Sequence, residues 1–243
     1  MSPVPLRVHW LRHGRVPHHR GDVSVTEQGL QEVKESARRM VASLESTEVV
    51  SILHTATLRS RETAYVLDRV MRAHPDVPPN IRFRAPLEEQ AIRNPDIYIG
   101  GMRVEMVSTA EAMAEQTEVN GLGPDAVEVL PFYRDFFTLH DRIGYWIEHP
   151  DPPGENADAV ARRMMAFAAS LSQLPRELPT RYICVTHSPL MRAFLTRYVS
   201  NEDPGEPEFM ETIDLIFAGD GTMEIRFRET VVKREIAEPR RTS

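Results

Sequence analysis

Short apolar runs that read as strands alternate along this chain with longer stretches whose apolar residues recur at helical spacing, the rhythm of parallel strands joined by crossover helices. Leu6 to Leu11 is the first run, and it stops at His13-Gly14 as a strand entering a loop. From Thr26 to Leu44 apolar residues fall at Leu30, Val33, Ala37, Met40, Val41 and Leu44, with Thr26 suited to cap the helix. Val49 to Leu53 predicts a second strand and Thr57 to Arg72 a second helix. The Pro-rich stretch Pro75 to Pro79 ends that helix before a third strand near Ile81 to Arg84.

Between about Gln90 and Pro153 the rhythm breaks into helical pieces, Val104 to Gln116 and Ala126 to Trp146, separated by Gly100-Gly101 and Asn120 to Pro124. We read this block, approximately 93–151, as a helical insertion covering one end of the sheet. After Pro152-Pro153-Gly154 the rhythm resumes with a helix from Ala157 to Leu174, a strand from Tyr182 to Val185 and a helix from Pro189 to Tyr198. Ile213 to Phe217 and Met223 to Val232, joined through Gly219-Asp220-Gly221, predict a closing hairpin, and approximately 235–243 forms a polar, frayed tail. At 243 residues the chain suits a single domain spanning 1–243.

Charge narrows the partners. Asp and Glu number 36 against 29 Lys and Arg, a formal charge of -7, so no overall field draws polyanions and nucleic acid is not an expected partner. A small phosphorylated metabolite needs only a local concentration of cations, and Arg12, Arg15, His18, His19 and Arg20 supply one. Cys184 is the single cysteine and sits in an apolar strand, which fits a reducing compartment. The first residues lack a secretory pattern and no apolar run reaches membrane-spanning length, so the expectation is a cytoplasmic protein with no membrane partner. A homodimer stays open.

Two segments put a His at the C-terminal end of a predicted strand: Leu11-Arg12-His13-Gly14 and Val185-Thr186-His187-Ser188. In open α/β sheets that edge is where ligands bind. The segment from His54 to Ala64, with Arg59 and Arg61, follows the second strand into a helix, and Leu87-Glu88-Glu89 follows the third. Arg59 is favoured over Arg61 by the Arg-x-x-x-Thr-Ala spacing, and Glu89 over Glu88. The neighbouring His18-His19 pair lacks the spacing of a metal site.

These ordered motifs, with the Pro-Gly-Glu155 turn, resemble the histidine phosphatase superfamily, which includes phosphoglycerate mutases; the match is poor from Arg93 to Asp151. The resemblance implies a three-layer αβα sandwich, phosphoglycerate mutase-like, with a mostly parallel central sheet and the insertion over the active site. It implies His13 as the nucleophile, its other ring nitrogen held by a backbone carbonyl. Arg12 and Arg59 would clamp phosphate with forked donors, His187 would support the phosphoryl charge, and Glu89 would protonate the leaving alkoxide. His19 and Ser188 would contact substrate. No metal and no cofactor are implied.

Three departures separate the chain from that pattern. Arg15-Val16 follows Arg-His-Gly where Glu-Thr is common, with His19 at the position of a phosphate-contacting Asn. Ser188-Pro189 replaces Gly-Gly, so Ser188 caps a helix that loses an N–H at Pro189. Gln90-Ala91-Ile92-Arg93 replaces the Arg and Tyr-Gly by which mutases hold a carboxylated substrate. The expected activity is therefore hydrolysis of a small phosphomonoester, a phosphoric monoester hydrolase. A phosphotransferase on the same phosphohistidine and a non-catalytic binding module are the alternatives.

Overall fold

The computed structural model describes residues 4–117 and 121–236. The chain opens with β1 (Leu6–Arg12), α1 (Glu27–Ala42), β2 (Val49–His54) and α2 (Leu58–Ala73), the expected order. Thr26 starts α1 by accepting a hydrogen bond from the Gly29 N–H. β3 (Arg82–Phe83) and β4 (Leu87–Glu88) both run parallel to β2, one beside its start and the other beside its end.

The insertion differs from its sequence reading. Ile97–Ile99 (β5) and Met102–Val104 (β6) form an antiparallel hairpin, turning through Gly100 and Gly101 at φ 55° and 82°. The helix expected from Val104 begins only at Ala110 (α3, Ala110–Glu115), where the Thr109 hydroxyl caps it. The expected Ala126 to Trp146 helix is three: α4 (Pro124–Glu128), α5 (Pro131–Thr138) and α6 (Arg142–Glu148). Pro131 has no N–H to continue α4, and the Asp141 carboxylate caps α6 by accepting from the Gly144 N–H at 2.9 Å. Part of the Asn120 to Pro124 separator lies outside the described residues.

The regular alternation returns with α7 (Ala157–Ser172), β7 (Thr180–Thr186) and α8 (Ser188–Leu195), which continues without a break as a π-helical turn over Thr196–Ser200, so the chain is helical across the expected Pro189 to Tyr198. β8 (Thr212–Phe217) is followed by two strands where one was expected: the chain turns at Arg228, φ 53°, between β9 (Thr222–Phe227) and β10 (Thr230–Glu235). The expected tail lies almost wholly outside the described residues.

The sheet order is β10-β9-β8-β1-β7-β2-β3, with β4 also on β2. Strands from β1 to β3 are parallel and β8 to β10 antiparallel, giving a mixed, mostly parallel centre with helices on both faces. Alternation along the central strands builds the layers. Trp10, Tyr182 and Cys184 face the core shared with α7, α8 and the insertion, whereas Leu11, Ile183 and Val185 face the core under α1 and α2. Among the described residues no helix is long and apolar enough to cross a membrane.

Candidate active site

β1 and β7 lie side by side in parallel, Arg12 opposite Thr186, so the next residue of each strand emerges at the same edge of the sheet. Those residues are His13 and His187, with ring centroids 5.2 Å apart. β2 ends next to β7, and the chain leaving it carries Thr55 and then Arg59 in the first turn of α2. Arg12, Arg59, His13 and His187 are all buried yet line one cavity of about 410 Å³.

The His13 Nδ1 lies 2.8 Å from the Gly14 carbonyl. A carbonyl only accepts, so Nδ1 carries the proton and Nε2 keeps the lone pair. Burial, then the positive charge of Arg59, holds the His13 pKa well below its ordinary value. Gly14 is required by the packing: a Cβ there would stand 2.9 Å from the Val33 side chain and 3.0 Å from that of Val25. Its N–H donates to the Thr63 hydroxyl at 2.9 Å, and that hydroxyl donates to the Arg59 carbonyl at 2.7 Å. Arg59 and Thr63, spaced as the sequence singled them out, thus tie the His13 loop to the first turn of α2.

His187 Nε2 pairs with the Thr55 hydroxyl at 2.9 Å, and its Nδ1 is buried without a partner. Burial, then Arg59, keeps this ring neutral as well. Arg59 reaches Asp22 at 3.6 Å and the Gly21 carbonyl at 3.4 Å. Arg12 pairs with Glu206 at 2.7 Å, donates to the Pro207 carbonyl and lies over the Phe209 ring, 4.1 Å from its centroid. Both guanidinium groups keep a buried Nε without a partner. Arg61 is exposed, so Arg59 is the arginine that faces the cavity.

The remaining sequence-predicted residues divide. His19 lines the cavity with its ring centroid 6.0 Å from that of His13; partial desolvation, then Arg59 and Arg12, pull its pKa down to about 4. Ser188 lines it too, its hydroxyl donating to Glu206 at 2.6 Å. Glu89 is not among the lining residues. It is half-buried at the end of β4, and its carboxylate accepts from the Ala91 N–H at 2.8 Å as the cap of a short 3-10 turn. Glu88 is exposed and pairs with Gln90. Glu155 has a structural part, joining Arg163 at 2.9 Å to the Asp96 N–H at 2.9 Å.

The sequence reading missed Glu206, Phe209, Arg192 and Asp141. Arg192, buried on α8, holds both oxygens of Asp141 at 2.8 and 2.6 Å and also pairs with Asp203, fixing the start of α6 as a wall of the cavity. The Arg192 hydrogen bonds lower the Asp141 pKa to about 2. Only Asp203-Pro-Gly-Glu206 marked the covering segment, a turn signal with nothing to place it.

The depressed histidines carry a pH consequence. Their folded pKa values lie below the unfolded value of about 6.5, so the unfolded chain binds more protons between about 6.5 and the folded values. Stability contributed by His13 and His187 is present above about pH 6.5 and declines as pH falls. A thermal melt is expected to drop by roughly 5 to 10 °C between pH 6.5 and 5 in wild type, with a smaller drop in His187→Gln. Identical melting curves across that range would contradict the burial of neutral rings.

The sequence matches no family model and no curated protein. Its structure is similar to a phosphoglycerate mutase from Bacillus anthracis str. Sterne, at 14% identity and TM-score 0.53 over 93% of this chain and 94% of that one. It is also similar to a mycobacterial glucosyl-3-phosphoglycerate phosphatase complexed with VO3, at 15% identity and TM-score 0.52 over 91% and 97%. The chain has a phosphoglycerate mutase-like fold. Within it stand two paired histidines and two buried arginines at the sheet edge.

Proposed function

We propose that this protein hydrolyses a small phosphomonoester through a phosphohistidine on His13, without a metal. The observation that carries the reading is the state of His13: Nδ1 is bonded to a carbonyl, and the free Nε2 belongs to a cavity lined by Arg12, Arg59 and His187. Nε2 attacks phosphorus as the P–O bond to the leaving group breaks. Arg12 and Arg59 hold the equatorial oxygens, and His187 Nδ1 donates to one of them. Water then attacks phosphorus, the P–N bond breaks, and phosphate leaves with the imidazole restored.

The leaving oxygen needs a proton, which the attacking water later gives back. Glu89 takes this part by releasing the Ala91 N–H, since its own N–H is anchored to the His54 carbonyl, 2.8 Å away at the end of β2. Glu206 has a different part. Its carboxylate occupies Arg12 and Ser188 and is displaced when phosphate arrives.

Glu89→Gln is therefore expected to slow alkyl phosphate hydrolysis roughly 100-fold while affecting esters with a good leaving group far less. Glu206→Gln is expected to lower the inhibition constant of inorganic phosphate several-fold with little change in leaving-group dependence. If the leaving-group dependence appears in Glu206→Gln instead, the proton donor is Glu206. The reading as a whole is tested by offering a chromogenic aryl phosphate in the presence of a chelator: turnover supports it, and a phosphoryl group passed to an added alcohol in preference to water would make the protein a phosphotransferase.

A further inference from the structure

The cavity continues well beyond the phosphate-sized volume between Arg12, Arg59 and the two histidines. The part built by the insertion has an apolar lining in Met106, Val107, Phe136 and Ile143, and Pro189 of α8 adds to it. Ser108, His140 and Asp141 interrupt that lining, as do Asn94 and Arg142, and of these polar residues Asn94 and Arg142 each keep a buried side-chain atom without a partner.

The first is Asn94, 4% exposed. Its amide orientation is fixed chemically, because the group 2.7 Å from the Glu105 carboxylate must be the donating NH2. That leaves Oδ1 buried with no donor, on a residue that lines the cavity. A buried acceptor of this kind costs free energy until something donates to it.

The second is Arg142, which lines the cavity from the first turn of α6. Its Nε is buried and unpartnered, and among the described residues its guanidinium has no hydrogen bond or ion pair. Arg192 nearby behaves differently, being saturated by Asp141 and Asp203. Arg93 and Arg103 are paired within the insertion, Arg93 with Asp96 and Arg103 with Asp96 and Glu105, and do not line the cavity. Arg142 is thus a cation at the cavity wall with no carboxylate of its own.

We propose that this insertion-built part of the cavity is a specificity subsite for the alcohol portion of the substrate. The ester it takes has an apolar, ring-sized body, a hydroxyl or N–H that donates to Asn94 Oδ1, and a second negative group that pairs with Arg142. The inference rests on the phosphomonoesterase reading for the position of the phosphoryl group, and it adds the chemistry of the other end. Apolar walls with a few oriented polar groups are the usual build of a small-molecule site. The two unsaturated groups discriminate here because a ligand lacking their partners leaves them buried and unpaired.

The test is calorimetric titration of phenylphosphonate, meta-hydroxyphenylphosphonate and meta-carboxyphenylphosphonate into wild type and Arg142→Met. Wild type is expected to bind the carboxylated ligand at least about tenfold more tightly than the parent, and the hydroxylated one about threefold more tightly. Arg142→Met is expected to erase the carboxylate gain and keep the hydroxyl gain, with its melting temperature reported alongside. The assignment to Arg142 is overturned if the carboxylate adds nothing in wild type or if its gain survives in the variant. An absent hydroxyl gain would leave Asn94 to water. Since the ligands are not hydrolysed, discriminating binding without turnover of the matching esters would break the phosphatase reading alone, whereas turnover without discrimination would break the subsite alone.

Discussion

Replacing His13 with Ala is expected to lower kcat for aryl phosphate hydrolysis by at least about 10⁴-fold, because the variant has no nitrogen to accept the phosphoryl group. The loss should fall on kcat, since Arg12, Arg59 and His187 remain to bind the ester. Truncating the ring leaves a buried gap beside the Gly14 carbonyl that matches imidazole in shape. Added imidazole is accordingly expected to restore part of the rate, which a variant that had merely unfolded would not show. Wild-type turnover in His13→Ala would remove His13 from the chemistry.

Arg59→Ala is expected to cost about 10³-fold in kcat/KM, with Arg59→Lys recovering only part of it. The guanidinium is buried, among the described residues is held only by long contacts to Asp22 and the Gly21 carbonyl, and keeps an unpartnered buried Nε. It is therefore free to make forked bonds to phosphoryl oxygens from a buried position, where such bonds are worth more than in bulk water. Lys restores the charge and loses the fork. Because the charge of Arg59 also lowers the His13 and His187 pKa values, second after burial, the acid limb of the rate profile is expected to move upward in Arg59→Ala and to stay near its wild-type position in Arg59→Lys. An unshifted limb with a normal rate would mean that Arg59 serves only to pack α2.

The sheet edge was legible because its information is local. β1, β2 and β7 are apolar runs that end at His13, His54 and His187, and parallel pairing puts successive strand ends at one edge whatever the loops do. The Arg59 and Thr63 spacing was legible for the same reason: it lies within one turn of one helix, and the structure uses it to hold Gly14. The insertion was less legible. Apolar periodicity runs through Ala126 to Trp146, and the interruptions at Pro131 and Asp141 are single residues whose capping geometry outweighs it. Gly100-Gly101 read as a separator, although two glycines between short apolar runs are also a hairpin turn. Glu206 and Phe209 were beyond reach. They arrive over Arg12 because β8 pairs antiparallel with β1, where the Arg12 N–H donates to the Glu211 carbonyl, and no local pattern announces that neighbour. Asn94 and Arg142 become a pair of wall groups only when the insertion folds back on α8.

Covalent transfer to His13 is the claim on which the rest depends. The direct measurement is to mix the protein with an aryl phosphate for less than one turnover, quench in alkali, where a phosphorylated imidazole survives, and map the modified peptide by mass spectrometry. The account predicts one phosphoryl group on the His13 ring, formed before free phosphate accumulates and lost as water replaces it. Steady turnover with no phosphoryl group on His13, or with the group on another residue, would contradict it.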